Sequence, residues 1–230
     1  MLDWLTLPID ATRQHEVAGL VAWHGRLMVL AWAVLCPLGV LVARFFKIAP
    51  GQDWPHQLDD KRWWRSHLTL QYSAGFAMLL GFWLIWSTGR TGQMSGLHAW
   101  LGYAVLAFGA LQFLAGWLRG SKGGPTQQQL RGDHYDMTPR RLLFEYVHKS
   151  VGYLALLLAV AAVLSGLWTA NAPRWMWIAL PVWWAGLLAC FAILQRQGRA
   201  IDTYQAIWGP DVQHPGNRRK PIGIGLRRPQ

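Results

Sequence analysis

Five apolar runs, each about as long as a membrane-spanning helix, constrain the fold of this chain more than any other feature. A helix needs about 20 apolar residues to cross roughly 30 Å of hydrocarbon. Charged residues make up only 14% of the 230-residue chain, which is too few for an ordinary soluble surface. We therefore predict an all-α membrane protein with five transmembrane helices, over residues 18–43, 67–87, 96–118, 147–170 and 174–194.

The positions of Lys and Arg predict the orientation of these helices, because short basic loops stay on the cytoplasmic side of a membrane. The first loop, the third loop and the C-terminal tail carry 18 of the 22 Lys and Arg residues, whereas Arg13, Arg90 and Arg174 fall on the opposite side. The N-terminus is therefore expected outside and the C-terminus in the cytoplasm. We divide the chain into an N-terminal extracytoplasmic segment, a transmembrane domain and a basic cytoplasmic tail: residues 1–17, 18–195 and 196–230.

The net charge of +11 raises the question of nucleic acid binding. The basic residues are spread over three segments beside helix ends, where anionic lipid headgroups attract them. We therefore expect membrane lipid to be their partner, and we expect no binding of nucleic acid. The chain is predicted to be an integral membrane protein, which we place in a bacterial inner membrane.

Four histidines lie within the apolar runs or at their ends: His24, His67, His98 and His148. Ionisable residues in membrane spans are uncommon and usually face the bundle interior. Each of the four falls in the first turn or two of its predicted helix, and successive helices run in opposite directions. His24 and His98 are therefore expected near the outer face, and His67 and His148 near the inner face. The pattern predicts two histidine pairs.

Two imidazoles on facing helices can bind a haem iron from both sides. We predict that four of the helices form a haem-binding bundle, in which His24 and His98 are the axial iron ligands of an outer haem and His67 and His148 those of an inner haem. The sequence contains no C-x-x-C-H motif for covalent attachment. Both groups are therefore expected to be noncovalent haem b.

Glycines follow two of these histidines at spacings that keep them on one helix face. Gly102, Gly109 and Gly116 follow His98, and His148 is followed by Gly152 and Gly166. Residues at such offsets share a face, and glycine leaves room there for a flat macrocycle. The alternative at any single position is close helix packing through small residues. The joint pattern favours haem.

Arg26 stands two residues after His24, inside the first run, where an unpaired charge is costly. We predict that it meets a propionate of the outer haem; the alternative is a side chain that extends to the membrane surface. Basic residues around the two inner histidines form a predicted cationic rim for haem propionates or an anionic reductant, unless they serve only as orientation signals: Lys61, Arg62, Arg65, Arg140, Arg141 and Lys149.

The remaining polar segments are predicted to be less structured. His15, His56, His134 and His214 lie among charged and turn-forming residues and are expected at the surface. The third loop, GSKGGPTQQQLRGDHYDMTP, is rich in glycine and is expected to be mobile. The tail after about residue 205 lacks apolar periodicity, which is typical of a surface-hugging or disordered segment.

The run HGRLMVLAWAVLCPLGVLVARFFK, residues 24–47, resembles the first haem-binding helix of the cytochrome b561 family, particularly the branch fused to DOMON domains. The runs HAWLGYAVLAFGALQFLAG from His98 and HKSVGYLALLLAVAAVLSGL from His148 are similar to further helices of that family. The resemblance covers about residues 18–195. It implies a core of four helices with two b-type haems, held by the same two histidine pairs.

The resemblance also implies a function, in which electrons cross the membrane from a cytoplasmic donor, often ascorbate, to an acceptor such as ferric chelate or monodehydroascorbate. We expect the chain to depart from the family pattern in three ways: without a DOMON domain ahead of the bundle, without the usual sixth helix, and with Arg26 at a position expected to be apolar. The donor is therefore left open between an ascorbate-like molecule, a quinol and a redox protein. A homodimer is also left open.

The main hypothesis is a dihaem transmembrane oxidoreductase of the cytochrome b561 type. One alternative is a membrane cytochrome b subunit of a larger redox complex that exchanges electrons with quinone. Another is a haem-free scaffold or transporter, in which the histidines pack against neighbouring helices or relay protons.

Overall fold

A computed structural model describes residues 2–15, 17–89, 96–124 and 131–229. Within those ranges the chain is helical. The α-helices are α1 (Leu2–Thr6), α2 (Gly19–Phe45, including a π-helical turn), α3 (Arg62–Ser87), α4 (Leu97–Trp117), α5 (Asp133–Asp136), α6 (Pro139–Thr169), α7 (Arg174–Arg196) and α8 (Thr203–Trp208), followed by a 3-10 turn, Pro215–Arg218. Five of them, α2, α3, α4, α6 and α7, are long and apolar enough to cross a membrane. The predicted fold class is therefore confirmed.

Small residues occupy most buried positions of the long helices. They include Ala31 and Ala33 in α2, Ala74 and Ala77 in α3, and Ala155, Ala159 and Ala162 in α6. Small side chains let helix backbones approach closely where no water drives association. By contrast, Trp100, Leu157 and Leu188 are each at least 70% exposed, as expected for side chains that face lipid.

The π-helical turn of α2, Leu30–Leu35, ends two residues before Pro37. Because proline has no backbone N–H, the carbonyl of Ala33 lacks its usual helical donor. The indole Nε1 of Trp183 in α7 donates to this carbonyl at 2.7 Å. α7 thus supplies the hydrogen bond that Pro37 removes from α2.

α6 begins eight residues before its predicted start, because the charged segment ahead of the apolar run is also helical. Thr138 caps it by accepting, through Oγ1, a hydrogen bond from the backbone N–H of Arg141 at 3.4 Å. Proline at the first helical position, here Pro139, is favourable since its missing N–H is not needed there. His148 therefore lies in the third turn of α6, and its predicted place in the first two turns was wrong.

The chain divides into two compact units, and each long helix contributes residues to both. The first unit consists of Met1–Leu38, Thr69–Ala107 and Leu154–Cys190, and the second of Gly39–Leu68, Phe108–Tyr153 and Phe191–Gln230. His24 and His98 belong to the first unit, and His67 and His148 belong to the second. Each predicted pair is therefore contained in one unit.

The C-terminal tail is folded, which corrects the prediction of a surface-hugging or disordered segment. α8 follows Asp202, whose carboxylate accepts from the backbone N–H of Tyr204 at 3.4 Å. Tyr204 is only 2% exposed and packs with Met137 and Ile222. Arg228 then donates to Asp202 at 2.8 Å. Periodicity within the tail did not reveal this core because its members come from separate segments of the chain.

Backbone hydrogen bonds hold the two ends of the third loop, and the predicted mobility of its centre stays a prediction. The backbone N–H of Gly124 donates to the carbonyl of Arg131 at 2.8 Å, and that of His134 donates to Ser121 at 3.0 Å. Residues 125–130 lie outside the described ranges, as does Arg90, which is predicted to lie on the outer side.

Candidate functional site: two histidine pairs

His24 of α2 and His98 of α4 lie side by side in the first unit. Their ring centroids are 6.3 Å apart and the ring planes meet at 81°. His67 of α3 and His148 of α6 form the same arrangement in the second unit, with centroids 6.5 Å apart and planes at 77°. The structure therefore brings together the residues of each predicted pair; their role as iron ligands stays a prediction.

Both separations fit one iron atom between two imidazoles. With a metal–imidazole bond of about 2 Å, two imidazoles on opposite sides of a metal place their ring centroids about 6 Å apart. In the described parts of the chain, His, Cys, Asp and Glu form no group of three or more that could hold a bare metal ion. Two imidazoles fill only two positions around iron, whereas a porphyrin supplies four nitrogens. The donor set thus suits haem.

Hydrogen bonds at Nδ1 leave Nε2 available to bind iron in three of the four imidazoles. In His24, Nδ1 lies 2.9 Å from the carbonyl oxygen of Gly81. In His67, it lies 2.9 Å from the carbonyl oxygen of Gly39, and in His98 it lies 3.0 Å from that of Ala162. Since a carbonyl oxygen can only accept, Nδ1 carries the proton in each ring. Nε2 is then left with the lone pair that binds a metal.

The three carbonyls that contact the rings belong to small residues, Gly39, Gly81 and Ala162. Ser165, one turn beyond Ala162, adds its hydroxyl oxygen at 3.3 Å from Nδ1 of His98. The contacts fix the rotation of each ring.

His148 is held by a side chain rather than by a backbone carbonyl. One terminal atom of the Gln112 amide, on α4, lies 2.9 Å from Nδ1 of His148. The same amide is adjacent to Gly152, where a Cβ would lie 3.3 Å from it. Gly152 therefore leaves room for the residue that orients His148.

The predicted glycine series has different surroundings at different positions. Gly166 lies against His98, since a Cβ built there would be 2.8 Å from Cε1 of the ring. Gly109 is buried. At Gly102 and Gly116 a Cβ would meet no other atom within 4 Å, so close helix packing does not explain glycine at these two positions. The predicted haem contacts of the series stay predictions.

Arg26 lies on the exposed side of α2. Its guanidinium carbon is 4.9 Å from the centroid of the Trp23 ring, and Trp23 is itself 54% exposed. This geometry favours the alternative, in which Arg26 extends toward the membrane surface. Its contact with a haem propionate remains a prediction.

The predicted cationic rim is only partly exposed. Arg141 is buried and donates to Glu145 at 3.0 and 3.1 Å, and Lys149 donates to the same carboxylate at 2.6 Å. These two cations share one buried anion. The other predicted members of the rim are exposed: Lys61, Arg62, Arg65 and Arg140.

Three of the four histidines expected at the surface are exposed or partly exposed: His15, His56 and His214. His134 is buried, which corrects the prediction. Its ring centroid lies 5.7 Å from that of Tyr204 and 6.0 Å from that of Trp208. Burial lowers the pKa of His134 to about 3, and the nearby charge of Arg141 acts in the same direction.

Three polar residues in the unit of the His67–His148 pair were not among the predicted site residues: Glu145, Gln112 and Lys47. Glu145 could have been found, because it stands four residues from both Arg141 and Lys149, a spacing that supports ion pairs on a helix. Gln112 could have been found as a polar residue in an apolar run. Lys47, which is 6% exposed, gave no signal beyond its positive charge.

Comparisons with known proteins agree with the predicted resemblance. The family described as eukaryotic cytochrome b561 matches residues 23–172. Ferric-chelate reductase 1 of Homo sapiens is 31% identical over 161 residues, which is 70% of this chain and 24% of that protein. Ferric-chelate reductase 1 of Bos taurus is 32% identical over 146 residues, covering 63% of this chain and 22% of the relative.

A cytochrome b561, DM13 and DOMON domain-containing protein of Arabidopsis thaliana is 28% identical over 158 residues, or 69% of this chain and 16% of the relative. The chain therefore spans about a quarter or less of the length of these relatives. No solved structure matches it. The family match includes all four paired histidines. The five helices long enough to cross a membrane agree with this match. This integral membrane protein therefore belongs to the cytochrome b561 family of b-type haem electron-transfer proteins.

Proposed function

We propose that the chain binds two noncovalent b haems and passes electrons between the cytoplasmic and outer faces of a membrane. The observation that carries this proposal is the repeated geometry of the two pairs, with ring centroids 6.3 and 6.5 Å apart. His24 and His98 are the proposed axial ligands of one haem, and His67 and His148 those of the other.

The protein's own residues set the chemistry of each site. When bound, haem b supplies an iron that gains and loses a single electron. Two imidazoles would hold the iron of each haem, and this would leave no open position for oxygen. The carbonyls of Gly81, Gly39 and Ala162 keep three of the rings oriented, which limits rearrangement when the charge of the site changes.

The proposed orientation places the N-terminus outside and residues 196–230 in the cytoplasm. It is supported by the 18 of 22 basic residues assigned to the first loop, the third loop and the tail. Residues 1–17 then form an extracytoplasmic segment and residues 18–195 the transmembrane domain. Location in a bacterial inner membrane and a homodimeric state stay predictions.

The names of the relatives suggest an electron acceptor. Two relatives that are 31% and 32% identical are ferric-chelate reductases. We propose a ferric chelate as the outer acceptor and a small cytoplasmic reductant of the ascorbate type as the donor. A quinol or a redox protein would be the donor if the chain acts as a subunit of a larger complex.

Vesicle experiments test this function directly. Ascorbate is trapped inside proteoliposomes, ferric citrate is added outside, and the haem absorption bands are followed. The proposal predicts reduction by internal ascorbate and reoxidation on adding external ferric citrate, with unchanged behaviour in a His56→Ala control. Haem that internal ascorbate does not reduce but a quinol does would favour the subunit function, and a colourless protein would contradict both.

A further inference from the structure

Gln112 contacts both the ring and the backbone of His148. It lies on α4, and one terminal atom of its amide is 2.9 Å from Nδ1 and 3.0 Å from the carbonyl oxygen of His148. The other terminal atom is 3.2 Å from the backbone nitrogen of Gly152. The amide therefore lies beside the turn of α6 that joins His148 to Gly152.

These contacts distinguish His148 from the other three paired histidines. Nδ1 of His24, His67 and His98 lies in each case at a backbone carbonyl, which can only accept a hydrogen bond. A side-chain amide offers either its oxygen or its NH2 group at the same place, because rotation by half a turn exchanges the two. The group that supports His148 can therefore change from acceptor to donor, whereas a backbone carbonyl cannot.

Each orientation of the amide suits a different state of His148. With its NH2 group toward Nδ1, the amide also donates to the carbonyl of His148 and accepts from the N–H of Gly152, so both of its terminal atoms are satisfied. Nδ1 must then accept, and the proton of the neutral ring lies on Nε2, where it prevents metal binding. With its oxygen toward Nδ1, the amide accepts the ring proton there, and Nε2 is left free.

The second orientation leaves the amide less well satisfied. Its oxygen then lies 3.0 Å from the carbonyl oxygen of His148, and its NH2 group faces the N–H of Gly152 at 3.2 Å. The ring of Phe144 stacks on that of His148, with centroids 5.1 Å apart and planes at 29°, and so restricts rotation of the imidazole. We therefore expect the amide, and not the ring, to turn when His148 binds a metal.

We propose that Gln112 is a positioning residue whose amide oxygen accepts the Nδ1 proton of His148 while Nε2 binds haem iron. This inference rests on the proposed function. An acceptor at Nδ1 makes the imidazole a stronger donor to iron, which stabilises the ferric form more than the ferrous form. Gln112 should therefore lower the reduction potential of the haem at the His67–His148 pair and leave that of the His24–His98 haem unchanged.

Redox titration of the haem-loaded protein, followed optically in detergent, tests the proposal. Gln112→Met keeps the length of the side chain and removes both amide atoms. It should favour reduction of one haem about tenfold, which raises the potential of that haem by about 59 mV. Gln112→Glu keeps an acceptor without an NH2 group and should shift the same potential in the opposite direction. Gln71→Met is the matched control, since the Gln71 amide donates to the carbonyl of Cys36 at 3.2 Å.

Single-haem variants assign the shift. The effect of Gln112→Met should persist when His24→Ala has removed the other haem, and should vanish when His67→Ala has removed the haem that His148 binds. Two haems per chain with potentials that do not shift, or that shift alike in Gln112→Met and Gln71→Met, would overturn the inference but not the proposed function. Fewer than two haems in the wild-type protein would instead contradict the proposed function.

Gly152→Ala covers the case in which the Gln112 variants do not accumulate. A Cβ at position 152 would lie 3.3 Å from the amide of Gln112, closer than most Cβ contacts, and should displace it. The potential of the same haem should rise, and a glutamine amide band in the redox-induced infrared difference spectrum should shift. Gly186→Ala, where a Cβ meets no other atom within 4 Å, should change neither. A potential and an amide band in Gly152→Ala that equal those of the wild type would overturn the proposal.

Discussion

Gly166 lies directly against the imidazole of His98. A Cβ at position 166 would be 2.8 Å from Cε1 and 3.2 Å from Nδ1 of the ring, closer than side-chain atoms normally approach. Nδ1 is also the atom that contacts the carbonyl of Ala162 at 3.0 Å. A side chain at position 166 must therefore move the ring away from the orientation that this hydrogen bond fixes.

Gly166→Ala should selectively weaken the haem that His98 binds. We expect loss or broadening of one of two haem signals in low-temperature optical or electron paramagnetic resonance spectra. Gly186→Ala on α7 is the matched control, since a Cβ there meets no other atom within 4 Å. Spectra of Gly166→Ala identical to those of the control would contradict a role of this contact in ligation.

Glu145→Gln should strongly destabilise the protein, because it leaves Arg141 buried without its carboxylate. Removing one partner of a buried ion pair costs about 3–5 kcal/mol. The measurement is the thermal midpoint in detergent. Asp60→Asn removes the partner of Arg62, whose side chain is 69% exposed, and should have little effect. Equal effects of the two substitutions would show that the ion pairs of Glu145 with Arg141 and Lys149 do not stabilise the protein.

His134 should make the protein sensitive to acid. Its pKa is about 3 in the folded state and about 6.5 when exposed. Below pH 6.5 the unfolded chain binds a proton that the folded chain does not, so stability falls as the pH drops from 6.5 toward 3. The expected loss between pH 7 and pH 5 is about 2 kcal/mol.

His134→Phe should remove most of this acid dependence, because phenylalanine fits the aromatic surroundings and Nε2 of His134 makes no hydrogen bond that would be lost. The check is a series of thermal midpoints from pH 5 to pH 7. His56→Gln changes an exposed histidine and should keep the wild-type slope. The same slope in His134→Phe would show that His134 is not the group responsible.

Tyr204→Ala should release the C-terminal tail. It removes a ring that is 2% exposed and the hydroxyl that donates to the carbonyl of Tyr135 at 2.8 Å. Limited proteolysis should then cut the tail at least several times faster than in the wild-type protein. Val212→Ala, at a site 72% exposed in the same tail, should not change the rate. Rapid cleavage of the wild-type tail would contradict the folded arrangement.

The five spans and the partners in each histidine pair could be predicted from sequence because they depend on length, hydropathy and alternation of direction. The start of α6 was predicted too late, since Arg141 and Lys149 were counted as orientation signals and not as partners of Glu145. Thr138 and Pro139 were the local signal for the earlier start.

The burial of His134 and Tyr204 could not be predicted because it depends on contacts between separate polar segments. Nothing in the tail alone shows that Tyr204 packs with Met137 and Ile222. For the same reason Lys47 was not recognised: its burial depends on the carbonyl of Ile201, far along the chain.

Haem content per chain is the most direct test of the central claim. The protein is purified in detergent, and haem b is counted with a pyridine haemochrome assay in the wild type and in four single variants, His24→Ala, His98→Ala, His67→Ala and His148→Ala. We predict two haems in the wild type and about one in every variant, with His24→Ala and His98→Ala losing the same spectral component and the other two variants losing the other. A wild-type protein without haem, or variants of one pair that lose different components, would contradict the pairing.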